Sequence, residues 1–259
     1  MYYTQLLRVS RGLLCLSVVM AALFALIAIT AAANGWFYSS HVPPHSADTE
    51  APVPAFFAVA GFVAAIFGSR FARSLSEENE AHLPVVWTAP VSRLRYAATV
   101  MAIDAAGIFA AFAIVIATMF ALMAFMNVLS YLTLTPDSWI QLARFLAFPL
   151  AFYGLMSAAT ASLGKPGRAA IGYCWVAVFL LGILNAAGLP RPWDAVIGAL
   201  DLLNPIHYAA YSHGTGTNQV HVFSGMSPAM ALSADVGALC TLCAVGLAAA
   251  LWQWRRLEA

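Results

Sequence analysis

The sequence predicts an all-α, polytopic membrane protein, and three observations predict it. The 259 residues are 62% hydrophobic and 9% charged, where roughly a quarter of a soluble domain is charged. The mean hydropathy is +0.82, and several apolar runs reach the about 20 residues that a helix needs to cross the hydrocarbon core. None of these runs alternates with period two, and backbone groups in lipid must pair within their own segment, so the spans are helices. A net charge of +1 with no dense basic cluster excludes nucleic acid as a partner.

Six spans follow in order, at about 12–33, 53–69, 96–126, 139–163, 169–188 and 230–254. The first starts at Gly12 behind Arg8 and Arg11 and runs to Ala33. That exceeds the about 7–15 residues of a signal-peptide core, and no small-x-small cleavage site stands out, so a retained helix is expected. The second span is short. The third is long and has room to tilt or project. The fourth begins near Trp139, the fifth follows the tight turn Gly164-Lys165-Pro166-Gly167-Arg168, and the sixth ends at Trp254 before Arg255 and Arg256. Residues 1–259 read as one transmembrane unit with no internal repeat and no separable soluble domain.

The connections differ in character. Residues 34–52 contain Pro and His, and 127–138 are few. Residues 189–229 are longer and carry "PWDAVIGALDLLNPIHYAAYS", two short apolar runs broken at Asn204-Pro205. Runs too short to span predict interfacial or re-entrant helices. "HGTGTNQVHVFSG" follows as a flexible polar segment. The basic residues orient the whole. With a cytoplasmic N-terminus, Arg8, Arg11, Arg70, Arg73, Arg93, Arg95, Lys165, Arg168, Arg255 and Arg256 lie inside, ten of the twelve cations. Arg144 and Arg191 lie outside with Asp48, Glu50, Asp137 and Asp194. This positive-inside bias predicts that both termini are cytoplasmic.

One inner connection gathers charge that the chain otherwise avoids. "SLSEENEAHLPVVWTAPVSRLRY" (74–96) holds Glu77, Glu78, Glu80, Arg93 and Arg95. Ser74-x-x-Glu77 reads as a capping box, which would start a helix near Leu75 with acids in its first turn. Leu83, Val86 and Trp87 offer an apolar face, and Pro84 and Pro90 kink or end it. Such a helix can dock in a groove on another protein or lie on the membrane. The acids disfavour an anionic leaflet. The plainer reading is a solvated loop flanked by positive-inside arginines.

These residues carry a resemblance. Acids, an apolar stretch and then Ala-Pro-Val-Ser-Arg before a long helix resemble the cytoplasmic loop of permease subunits of the ABC-2 type, the type V-like class of ABC exporters. The matching positions are Glu77, Glu80, Thr88, Pro90, Val91, Ser92 and Arg93. Leu203, Pro205 and Tyr208 match an element of the last outer loop, beside Asn204. Ala81-His82 stands where the family usually has Gly-Thr. The resemblance implies a subunit that is not itself an enzyme and holds no cofactor. Two copies of a separate ATPase would bind ATP and Mg and grip the loop as a coupling helix through Glu77, Glu78, Glu80, Leu83, Trp87, Pro90 and Arg93. A second permease half, the same or a similar chain, would complete the path across a bacterial inner membrane. Consistently, the only lysine, Lys165, is followed by Pro166, so no P-loop exists in the chain.

Other polar residues have competing readings. Asp104, about two turns into the third span, is either a proton or cation site, as an ion-gradient transporter or channel would need, or an interfacial partner for Arg93 or Arg95. Asp235, near the outer end of the sixth span, reads as solvated or capping, and Arg144 as snorkelling. His41, His45, His207, His213 and His221 are predicted outside and His82 inside, with no compact metal spacing, so no metal site is assigned. Cys240 and Cys243 form a C-x-x-C inside an apolar helix, which reads as two small hydrophobes. Small residues at 158–164 and 237–250 permit close helix packing, within the chain or with a second copy.

Overall fold

A helix in lipid needs no partner for its backbone, so what positions these helices is their side chains. A computed structural model describes residues 2–33, 53–81, 92–126, 134, 136–163, 167–187, 190, 192–210 and 228–256. The helices are α1 (Tyr2–Ala33), α2 (Val53–Phe71), α3 (Ser74–Ala81), α4 (Arg93–Phe125), α5 (Pro136–Thr160), α6 (Gly167–Ala186), α7 (Trp193–Asp201), α8 (Pro205–Ala210) and α9 (Pro228–Arg256). Among the described residues there is no strand. Six helices among the described residues are long and apolar enough to cross a membrane, as expected of a multi-pass protein. Their bounds lie within a few residues of the expected spans, except that α1 starts at Tyr2, well before Gly12.

Local chemistry sets several ends. Ser92 caps α4, its Oγ accepting from the Arg95 N–H at 3.3 Å. Pro136 opens α5, where a missing N–H costs nothing, and Asp137 follows in the first turn. Asn204 precedes Pro205 and its Oδ1 accepts from the Ile206 N–H at 3.0 Å, which starts α8.

The spans alternate in direction. The start of α1, the end of α2, α3, the start of α4, the end of α5 and the end of α9 share one end. There Leu75, Tyr96, Ala97, Val100, Met101, Ala161, Ala250 and Trp254 form a common apolar cluster. Both ends of the described chain therefore lie at the same side of the bundle. We call it the basic end, since Arg8, Arg70, Arg73, Arg95, Arg255 and Arg256 belong to it.

Helix α5 is the centre, packed chiefly against α9 and α2, while α4 lies between α1 and α2. Of its most apolar window 61% is buried, whereas the corresponding windows of α1 and α6 hold no buried residue. Phe145, Phe148, Phe152, Tyr153 and Met156 of α5 meet Phe57, Phe67 and Phe71 of α2, with Ile108, Phe112 and Val115 of α4 and Leu239 of α9 in the same core.

Two glycine contacts bring backbones together. Pro149 inside α5 cannot donate to the Phe145 carbonyl one turn earlier. Helix α2 passes there, and a Cβ on Gly61 would sit 2.8 Å from that oxygen. On the opposite face, a Cβ on Gly154 would lie 2.8 Å from the Cys243 carbonyl oxygen, and one on Gly246 would run into the Gly154 backbone. So the small residues of the last span serve at Gly246 to seat α9 on α5 within the chain. The four cysteines are free.

Candidate functional site

Two polar assemblies lie at opposite ends of an otherwise apolar bundle. At the basic end, α2 breaks after Phe71 and restarts as α3 at Ser74, the Glu77 N–H bonding the Arg73 carbonyl at 2.9 Å. The elbow is held by Thr160 of α5, whose hydroxyl donates to the Ala72 carbonyl at 2.6 Å. Behind it, a Cβ on Gly167 at the head of α6 would collide with Ser76.

The capping box expected at Ser74 and Glu77 is not what forms. Ser74 is buried, and its Oγ accepts from Gln5 Nε2 of α1 at 2.9 Å, with Arg8 Nη1 at 3.5 Å. Glu77 instead takes two guanidinium groups, Arg8 at 2.8 Å and its own-helix neighbour Arg73 at 2.8 Å. All three side chains of that ion triad keep some solvent exposure, so its net contribution is small. Its role is to fix direction: α3 is strapped to the first turns of α1.

Asp104 completes this end and is 0% exposed. Its Oδ1 accepts from Gln5 Nε2, and its Oδ2 accepts from the Tyr153 hydroxyl at 2.9 Å. The expected pairing with Arg95 is corrected: Arg95 is exposed, and Arg8 is the cation placed beside the acid. Tyr153, Ser157 and Thr160 recur at helical spacing and so share one face of α5. Gln5 and Arg8, three residues apart on α1, share another.

Of the residues proposed for docking, Glu77 is the one whose side chain is described. Glu78 and Glu80 belong to α3 and Arg93 opens α4. Leu83, Trp87 and Pro90 lie outside the described residues, as do His41, His45, His82, His213 and His221. Among the described residues no group of three or more His, Cys, Asp and Glu could hold a metal ion.

The far assembly overturns two expectations. Arg144 does not snorkel: it is 1% exposed, its Nε donates to the Tyr208 carbonyl, and its Nη1 donates to Gln141 Oε1 at 3.1 Å. Asp235 is neither solvated nor a cap; it is buried, with Oδ2 3.4 Å from Arg144 Nε. A buried charge finds its counter-charge on a neighbouring helix because neither water nor headgroups reach it. Helix α7 is inverted. Trp193, Val196 and Leu200 are exposed, as is Leu203 just beyond the helix, while Asp201 turns inward to Asn185 at 2.8 Å, Asn204 at 2.8 Å and His207 Nδ1 at 2.7 Å. Asn204 also donates to the Val178 carbonyl of α6 at 3.0 Å. The Tyr208 hydroxyl donates to the Leu202 carbonyl at 2.9 Å. Burial, with Asp235 and Asp201 nearby, raises the Tyr208 pKa above its ordinary value, so this donor keeps its proton. The three residues singled out in sequence, Asn204, Pro205 and Tyr208, thus lie together in one pinned corner.

Sequence reading missed Gln5, Tyr153, Asp201 and Asn185. The available signal was polarity at helical spacing inside an apolar run. No protein-family model matches the chain, and no curated protein and no solved structure matches it.

Proposed function

We propose that the chain is the membrane-spanning permease subunit of an ABC-2-like exporter, with α3 as the element gripped by a separate ATPase. One observation carries this reading. The short acidic helix α3 is not a loose loop but is bound by Ser74 and Glu77 to α1, next to the Asp104 and Tyr153 contact of α4 and α5. A force applied to α3 is therefore delivered to the spans. The absence of a P-loop from the sequence is in keeping with a motor on another chain. In this reading the ATPase, two copies of it, binds ATP and Mg, and a second permease half completes the substrate path. The basic end is cytoplasmic in a bacterial inner membrane, as the arginine bias predicts. Helices α7 and α8, pinned at the other end with an apolar face outward, are the interfacial or re-entrant pair.

A second reading, an ion-gradient transporter or channel subunit, draws on the burial of Asp104 within a span. One purification separates the two. The tagged full chain, extracted from its native membrane in mild detergent, is expected to bring down an ATP-hydrolysing partner, and Glu80→Lys, on α3, is expected to release it. A chain that recovers no ATPase, in a preparation whose transport ignores nucleotide and is lost in Asp104→Asn, overturns the first reading in favour of the second.

A further inference from the structure

Docking alone does not account for the buried part of the polar assembly. Four side chains run in one string across four helices. Ser74 of α3 accepts from Gln5 of α1 at 2.9 Å. The same Gln5 nitrogen gives its other proton to Asp104 Oδ1 of α4. Asp104 Oδ2 then accepts from the Tyr153 hydroxyl of α5 at 2.9 Å. Ser74 is 1%, Gln5 3%, Asp104 0% and Tyr153 2% exposed, so water cannot replace a bond that is broken. Each lost bond leaves buried polar groups with fewer partners. Helix α1 otherwise lies along α4, with Val9 in the core against Gly107, Leu13, Leu16 and Met20 at the core's edge and Phe24 against Phe125, so these buried bonds are what ties its first turns to α3 and α5 as well. Both carboxylate oxygens of Asp104 face protein donors, an arrangement that suits a joint between helices better than an open ion site.

We propose that Asp104 is a positioning residue that makes α3 move with α1, α4 and α5 as a single block at the basic end. The linkage rests on the permease reading only for what would move α3. Ser74 and Tyr153 lie at the two ends of the string, with Gln5 and Asp104 between them. If the string is intact, loss of one end changes the cost of losing the other; independent sites simply add.

The test is a double-mutant cycle on the full chain in lipid nanodiscs, with Ser74→Ala and Tyr153→Phe, both too conservative to abolish folding. Unfolding is followed by intrinsic tryptophan fluorescence. The double variant is expected to depart from the summed single shifts by about 2 °C or more. In an Asp104→Ala background the shifts are expected to add within about 1 °C. Gln5→Met removes the bridging amide but leaves the acid its Tyr153 partner and the neighbouring Ser74 hydroxyl, so the coupling is expected to shrink there, which decides the matter if Asp104→Ala does not fold. Additivity in the wild-type background overturns the proposal, and so does coupling of undiminished size in Gln5→Met. A second measurement uses the purified complex with its ATPase. Nucleotide-induced changes in amide exchange are expected in α1, α4 and α5 of the wild type but confined to α3 in Gln5→Met. The same changes in both overturn the proposal. Failure to recover any ATPase counts against the permease reading and leaves the cycle, which needs no partner, to decide the linkage.

Discussion

At Arg144 a long cationic side chain near a helix end had the sequence signature of a snorkeller, yet it lies flat against Tyr208 and Asp235. The outcome depends on what stands beside the helix, not on its distance from the interface. Helix α8 sits over that end of α5 and closes the route to water, so the guanidinium turns to a carbonyl and a carboxylate. The pair tests cleanly. Arg144→Met leaves the Asp235 carboxylate buried without its cation and is expected to cost about 3–5 kcal/mol. The double variant Arg144→Met/Asp235→Leu should recover most of that loss, because a desolvated ion pair and well-packed apolar groups of similar size are nearly equivalent. Denaturant titration of the purified chain in micelles measures both. Asp104 belongs to the same scale. Its place inside a span was readable, but its partners Gln5 and Tyr153 are 99 and 49 residues away in the chain, beyond any local pattern.

Among the elements, α5 and α9 show how a composition becomes a contact. The last span is rich in glycine and alanine, and composition alone left open whether that face meets its own chain or a second copy. Position decides it at Gly246, which meets Gly154 backbone to backbone. Gly246→Ala is expected to destabilise the chain by about 1–3 kcal/mol, since a methyl there must push the helices apart. Gly237, on the same helix, has open space where its Cβ would be. Gly237→Ala should be neutral, within about 0.5 kcal/mol, or slightly stabilising through its better helix propensity. Thermal melts of both variants, read as monodisperse protein remaining after heating, check the contrast. Helix α3 is the opposite case. Its existence and acidic first turn were legible from Ser74 and Glu77, but the capping box was not built. Gln5 and Arg8 arrive from α1 and take the groups that would have capped it.

For the whole molecule, the alternating spans set both ends of the described chain beside α3 and the Arg255–Arg256 pair, with α7 and α8 at the other end. Orientation is then a single binary question. On a background in which Cys15, Cys174, Cys240 and Cys243 are replaced by serine, a cysteine at Leu202 is expected to react with a membrane-impermeant maleimide in intact cells. A cysteine at Tyr3 should react only after the cells are permeabilised. Both positions are exposed, at 41% and 70%. The reverse pattern would turn the basic end outward and remove the docking role of α3.

The sequence by itself determined the class, the number of apolar spans and their limits to within a few residues, apart from the early start of α1. Those features follow from the length and hydropathy of contiguous segments, which lipid imposes one segment at a time. It also marked the places where polarity is concentrated, at 74–80, at Asp104 and around Asn204-Pro205. Only the tertiary structure decided which polar groups meet: Gln5 with Asp104 and Ser74, Arg144 with Asp235, Asp201 with Asn185 and His207. A buried polar atom takes its partner from whichever helix packs against it, and that neighbour is chosen by the fit of glycines and aromatic rings between helices, not by adjacency along the chain.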